Sequence, residues 1–352
     1  VRQVVRFAAT PAGRVAYAVT GSGPAVLCLP GWVSHLGLLW ESAEHRRFVE
    51  ELSRTHTVIR FDRIGCGLSD RDRTDFSLEF ELATLKALIA HLGLDRFALF
   101  GTCESGQVAA AFAAAEPDAL TALILYGTCA RGRDLAPGDV RRSVLGMVRA
   151  HWGLGSRVLA DIWLPDASTE LSATFARMQR EAATAETAAA LLEMFYLLDV
   201  TDVLSEIRVP TLVAHRRGSR AVRFELGREL AALIPEAQLA ALDGRMQPIY
   251  AEHPEAGAAT IAEFLHATVP ARANTPPAAA DPPPTAAQTA RGLLTAREFQ
   301  VADLIADGLT NAEIGRQLGV SMRTVDAHVE HVRTKLGVRA RAQIAVWARQ
   351  NT

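Results

Sequence analysis

Through the first three quarters of the chain, short apolar runs alternate with longer stretches in which apolar residues recur every three or four positions. The short runs predict strands at residues 25–29, 57–61, 97–100, 120–126, 211–215 and 238–242, preceded by a hairpin at 3–8 and 14–20. Helical periodicity fills several of the intervals, at 78–92, 105–115, 222–234 and 255–265. That rhythm implies an α/β class, a doubly wound, mainly parallel sheet with helices on both faces. Between about 131 and 207 the rhythm lapses. The sequence there is helix-forming throughout, interrupted by Pro137 and Pro165, as expected of an inserted helical cap.

Residues 269–291 change character: 269–290 carry six prolines and no large aliphatic residue after Val269, a composition that favours an extended spacer. Beyond it, 292–352 read as a small all-α unit. Thr295 with Glu298 and Thr310 with Glu313 have capping-box spacing, each flanked by a hydrophobic staple, Leu294 with Phe299 and Leu309 with Ile314. The second helix ends near Leu318, Gly319 supplies the turn and Ser321 caps the third helix, which together predict a helix-turn-helix. At about 100° per residue, Val325, Val329, Val332 and Leu336 share one narrow sector of the third helix and must face inward. Arg323, Ala327, Glu330 and Thr334 then point outward, with Thr324, Asp326, His331, Arg333 and Lys335 on the flanks.

At 352 residues, and about 150 per domain, the chain has room for two domains plus a cap or linker, read as 1–268, 269–291 and 292–352. A composition 49% hydrophobic and 22% charged excludes a wholly disordered chain. Apolar runs such as 108–115 fall far short of the roughly 18 residues of a membrane span, so no membrane partner is expected. Residues 1–14 lack the pattern of a secretory signal, and a cytoplasmic protein is expected. Four cysteines without zinc-like spacing imply reduced thiols and no structural metal, and no cofactor is expected. With 37 basic against 39 acidic residues, the whole chain makes no electrostatic case for nucleic acid. From Arg316 to Thr352, however, seven basic residues face two acidic ones.

Four segments in order carry a resemblance. Leu27-Cys28-Leu29-Pro30-Gly31-Trp32, Arg60-Phe61-Asp62-Arg63-Ile64-Gly65-Cys66-Gly67-Leu68-Ser69, Leu99-Phe100-Gly101-Thr102-Cys103-Glu104-Ser105-Gly106 and Val209-Pro210-Thr211-Leu212-Val213-Ala214-His215 resemble the successive landmarks of α/β-hydrolases. The resemblance implies an α/β-hydrolase-like sheet with a cap and a nucleophile elbow at Cys103, with Ser105 where the usual glycine stands. It also implies an acid position at Ser219 and a base position at Gln247. All three triad positions depart from Ser, Asp and His. Glutamine carries no proton at neutral pH and serine offsets no imidazolium charge, so general-base catalysis is expected to be lost. His253 is read as a cap or surface residue, and His35 and His215 as loop and strand-end residues. What remains is a pocket: backbone amides of Trp32 and Glu104 as donors, and Met194, Phe195 and Tyr196 of the cap closing an apolar cavity above Cys103. The plainer reading of those three is packing of the cap on the sheet.

Leu294-Thr295-Ala296-Arg297-Glu298, Gly308-Leu309-Thr310-Asn311-Ala312-Glu313-Ile314, Thr324-Val325-Asp326-Ala327-His328-Val329 and Lys335-Leu336-Gly337-Val338 closely resemble the LuxR-type DNA-binding domain. The resemblance implies a third helix that reads the major groove of double-stranded DNA through Arg323, Thr324, Asp326, Ala327, Glu330, His331, Arg333 and Lys335. It implies too a last helix at 342–349 that serves dimerisation. The expected function is a homodimeric transcription regulator, in contact with the transcription machinery, whose catalytically degraded hydrolase-like domain senses a small molecule through Trp32, Cys103, Glu104, Met194, Phe195 and Gln247. The alternatives are a cysteine-dependent hydrolase tethered to DNA and a hydrolase-like domain that serves only dimerisation or partner contact.

Overall fold

The computed structural model describes residues 3–73, 75–268, 296–306, 309–318, 320–336, 344 and 348. Eight strands, β1 (Val5–Thr10), β2 (Gly13–Thr20), β3 (Ala25–Cys28), β4 (Thr57–Phe61), β5 (Phe97–Thr102), β6 (Leu120–Tyr126), β7 (Thr211–Arg216) and β8 (Gln238–Leu242), form one sheet in the order β1-β2-β4-β3-β5-β6-β7-β8. β2 runs antiparallel to β1 and β4, and every pairing from β4 to β8 is parallel. The chain divides into two compact units, Val1–Asn274 and Thr275–Thr352.

The central strands are apolar almost throughout because both faces are covered. On one face Leu27, Ile59, Leu99, Leu123, Leu125 and Val213 pack with Leu88 of α3 (Leu78–Leu92), Val108 and Phe112 of α4 (Glu104–Ala115) and Leu230 of α10 (Phe224–Leu233). On the other, Val26, Val58, Phe100, Ile124 and Leu212 pack with Phe48, Val49 and Leu52 of α2 (Ala43–Leu52) and with Ile261 and Phe264 of α11 (Pro254–Thr268). The period-2 alternation puts Arg60 on this second apolar face, between β2 and β3. α2 and the short α1 (Leu36–Glu41) before it occupy an interval for which the sequence reading made no assignment.

Between β6 and β7 the chain leaves the sheet for α5 (Gly138–Ala150), α6 (Trp152–Trp163), α7 (Thr169–Ala182), α8 (Ala185–Leu197) and α9 (Thr201–Leu204). Ser168 and Thr184 cap α7 and α8 through their side-chain oxygens. Among the described residues no helix is long and apolar enough to cross a membrane.

In the second unit, α12 (Ala296–Ala306), α13 (Asn311–Leu318) and α14 (Met322–Leu336) enclose Val301, Ile305, Ile314, Val325 and Val332, joined by Ile344 and Ala348. The capping box at α13 is formed: Thr310 N donates to Glu313 Oε2 at 2.8 Å and Glu313 N to Thr310 Oγ1 at 3.4 Å. Ser321 Oγ accepts from Thr324 N at 3.1 Å, capping α14. Leu294, Thr295, Gly319 and most of the expected helix at 342–349 lie outside the described residues, as does the side chain of Phe299.

Candidate functional site

The turn that ends β5 places Cys103 at φ 53, ψ −128, a left-handed conformation that a non-glycine residue adopts only when its surroundings impose it. Close packing imposes it here. A Cβ on Gly101 would lie 2.7 Å from Gly106 Cα, and one on Gly106 would lie 2.6 Å from Thr128 Cβ, so strand and helix meet only through glycines. Ser105, where the sequence comparison expected glycine, staples the turn: its Oγ donates to Thr102 O at 2.7 Å and accepts from Thr102 N at 3.0 Å. The elbow is therefore intact, with a thiol at its apex.

Gln247 is braced in the loop after β8. Buried Arg216 at the end of β7 donates to the carbonyls of Asp243 at 2.6 Å, Ile249 at 3.0 Å and Glu252. Gln247 N itself donates to Trp163 O at 2.7 Å. Its side chain reaches the other two triad positions. Ser219 Oγ donates to Gln247 Oε1 at 2.6 Å, while Gln247 Nε2 donates to Gly127 O at 2.8 Å and faces Cys103 Sγ at 3.4 Å. A carbonyl only accepts, so Gly127 fixes which end of the amide is nitrogen. Gln247 thus presents a donor to the sulfur, the reverse of what a general base offers. Burial pushes the Cys103 thiol up to about 12, the Glu104 carboxylate adding to it and the Gln247 and Thr102 hydrogen bonds opposing it. The sulfur is therefore a neutral thiol at physiological pH.

The histidines go elsewhere. His215 is buried with Nε2 on Val222 O at 2.8 Å and its ring edge-on to Phe224. His35 caps α1 by accepting from Leu38 N at 3.3 Å, and exposed His253 precedes α11.

A cavity of about 130 Å³ opens beside Cys103 and Gln247. The cap contributes Trp163, Phe175 and Met178 to it, and the cavity then follows the sheet face past Phe100, Phe48 and Val58 to Arg60 and His45. Trp32 and Glu104, expected at a ligand through their backbone amides, and Met194 and Phe195, expected there through their side chains, are not among its lining residues. Trp32 Nε1 donates to Ala188 O at 2.9 Å and the indole packs on Trp152 and Trp163. Glu104 turns to the ion pair with Arg63 at 3.0 Å, Arg63 also meeting Glu81 at 3.5 Å. Burial pushes the Glu104 carboxyl up to about 7 against the pull of Arg63. Met194 and Phe195 belong to α8, which packs into the cluster of Leu145, Val148 and Leu191. Gly132 lets the preceding loop close against the Phe195 carbonyl, where any Cβ would collide. The cap meets the cavity through α6 and α7 instead.

On α14, Val325 and Val332 are fully buried and Val329 partly so, while Thr324, Ala327, Glu330 and His331 are exposed. Asp326, expected at DNA, accepts from Asn311 Nδ2 at 2.7 Å and ties α14 to α13. Glu330 meets Arg333 at 3.1 Å. The side chains of Arg323, Thr334, Lys335 and Leu336 lie outside the described residues.

Residues 24–254 match the family described as alpha/beta hydrolase fold, and residues 292–348 match the bacterial regulatory proteins of the luxR family. Over 257 residues, 71% of this chain, there is 29% identity to the polyketide synthase ThaQ of Burkholderia thailandensis, of which the chain spans 12%. Over 58 residues, 16% of this chain, there is 45% identity to the transcriptional regulatory protein LiaR of Bacillus subtilis, of which it spans 28%. Among solved structures, the enol-lactonase of Burkholderia xenovorans is similar with TM-score 0.63 and 22% identity, covering 74% of this chain and 100% of that one. A thermophilic esterase of Thermogutta terrifontis is similar with TM-score 0.61 and 27% identity, covering 76% and 99%.

Proposed function

Because the chain belongs to the α/β-hydrolase fold family and carries a LuxR-type DNA-binding domain, we propose that it is a transcription regulator whose hydrolase-like unit has exchanged catalysis for recognition of a small molecule. Gln247 carries the reading. Its amide occupies the base position, satisfies the Ser219 hydroxyl and the Gly127 carbonyl, and turns a donor toward a thiol held neutral beside an apolar cavity. At the base position such a site has no acceptor for the nucleophile's proton, yet it retains the elbow and a space for a ligand.

DNA is engaged by α14, with base contacts from its outward positions 323, 327, 330 and 334 and phosphate contacts from its flanks. The regulator acts as a homodimer on double-stranded DNA, ligand occupancy altering its contact with the operator or the transcription machinery. A cysteine hydrolase on this scaffold would need a base, and His215 is committed to the Val222 carbonyl with its ring edge-on to Phe224. The test is turnover of short-chain aryl esters by the full chain and by Cys103→Ala. Equal, background-level rates are expected. Cys103-dependent turnover, or a trapped acyl-thioester after a burst, overturns the reading in favour of an enzyme.

A further inference from the structure

One end of the cavity holds a guanidinium that makes no ion pair among the described residues. Arg60 stands on the sheet face that Val26, Val58, Phe100 and Ile124 make apolar, and it is only 7% exposed. Its Nη2 donates to Gln3 Oε1 at 2.7 Å, and the guanidinium lies 4.7 Å from the centre of the Trp40 ring. Nε and Nη1 are buried without a hydrogen-bond partner, which leaves three N–H groups unmatched. The single carboxylate among the lining residues, Asp62, acts on Arg60 only through space, its oxygens accepting from the amides of Leu36 at 3.0 Å and Leu68 at 2.9 Å. Beside Arg60, His45 is equally buried, and its Nδ1 also lacks a partner. Burial, with Arg60 and Arg46 adding to it, drives the imidazole down to about 3, so it is a neutral ring at physiological pH. Arg60, lowered by burial to about 10, remains a cation.

A buried cation without an ion pair is costly, and a side chain that serves packing alone would be apolar at this position. We propose that the cavity takes a small organic acid, its apolar body along Phe48, Val58 and Phe100 and its carboxylate on the free N–H groups of Arg60, with His45 Nδ1 as a second hydrogen-bonding atom. A guanidinium suits this because its N–H groups match the two oxygens of a carboxylate. The size is set by the cavity: a void of about 150 Å³ holds one benzene ring, so about 130 Å³ admits one ring or a short alkyl chain. This inference rests on the sensing reading and sharpens it to a ligand class.

The test measures binding of hexanoate, octanoate, benzoate and phenylacetate, each beside its uncharged primary amide, to the full chain by calorimetry and thermal shift near neutral pH. At least one acid is expected to bind tenfold or more tightly than its amide. Arg60→Met is expected to remove that preference, the acid then binding no tighter than its amide, with the ligand-free melting temperature unchanged or raised. Arg60→Lys keeps the cation and is expected to keep a reduced preference for the acid, a readout that stands if Arg60→Met fails to fold. Equal binding of acid and amide, or an acid preference that survives Arg60→Met, overturns the proposal and leaves the cavity as a ligand site. Failure of every probe to bind the wild type overturns both the proposal and the sensing reading.

Discussion

Gln247 does two things that can be measured apart: it removes the base, and it satisfies buried polar atoms around the elbow. Gln247→Leu keeps much of the volume but leaves the Ser219 hydroxyl and the Gly127 carbonyl without their partner. Unpaired buried groups of this kind cost about 1–3 kcal/mol each, so urea unfolding should show a loss of about 2–6 kcal/mol for the two. An unchanged midpoint would mean that the network contributes nothing. Glu104 gives a pH-dependent test. Its carboxyl is raised in the folded state, so the folded form binds the proton more tightly than the unfolded one, and the associated stability falls as pH rises toward and through about 7. Arg63 and Glu81 are the charged groups that meet it, and Glu104→Gln leaves both in place. The variant's stability relative to wild type should therefore rise between about pH 5 and 8. A difference that stays constant across that range would contradict the assignment.

At the scale of elements, sequence pattern and structure agree wherever burial is two-sided or capping is local. The apolar runs of β3 to β7 and the Thr310–Glu313 box carry their own signal, because their geometry depends on near neighbours. The ligand face of the cap did not. α8 has the Met and Phe that suggest a cavity wall, yet its packing against α5 is decided by Gly132 and by how the cap folds back, which no local period encodes. Arg60 was legible in principle: a lone cation in the otherwise apolar strand TVIRF, with a partner in neither its own strand nor the next, is a sign of function. For α14 the helical period places Arg323 opposite the valine stripe and Lys335 on a flank near the far end. Arg323→Ala should relax preference at one base pair per half-site, a bidentate guanine contact being worth roughly 1–3 kcal/mol of discrimination. Lys335→Ala should weaken binding to all sequences and lower the salt slope by about one per monomer. Titration of the full chain against a selected operator and a scrambled duplex at several salt concentrations separates the two. Equal losses on both duplexes for Arg323→Ala would contradict the orientation.

For the whole molecule, the two units carry different chemistry on one chain, and the account requires that they be thermodynamically coupled. Linkage makes the demand specific: a ligand alters operator affinity only if the DNA-competent and incompetent states bind it differently, and operator DNA must then alter ligand affinity by the same factor. Cys103→Trp supplies a control for site, since an indole at the elbow fills the space beside Gln247. The central claim is tested most directly by measuring operator affinity of the full chain with and without saturating benzoate or hexanoate, whichever binds the cavity. A shift of about fivefold or more in either direction is expected, the range of a coupling of about 1–3 kcal/mol, and it should disappear in Cys103→Trp. Identical operator affinity with the cavity demonstrably occupied would contradict it.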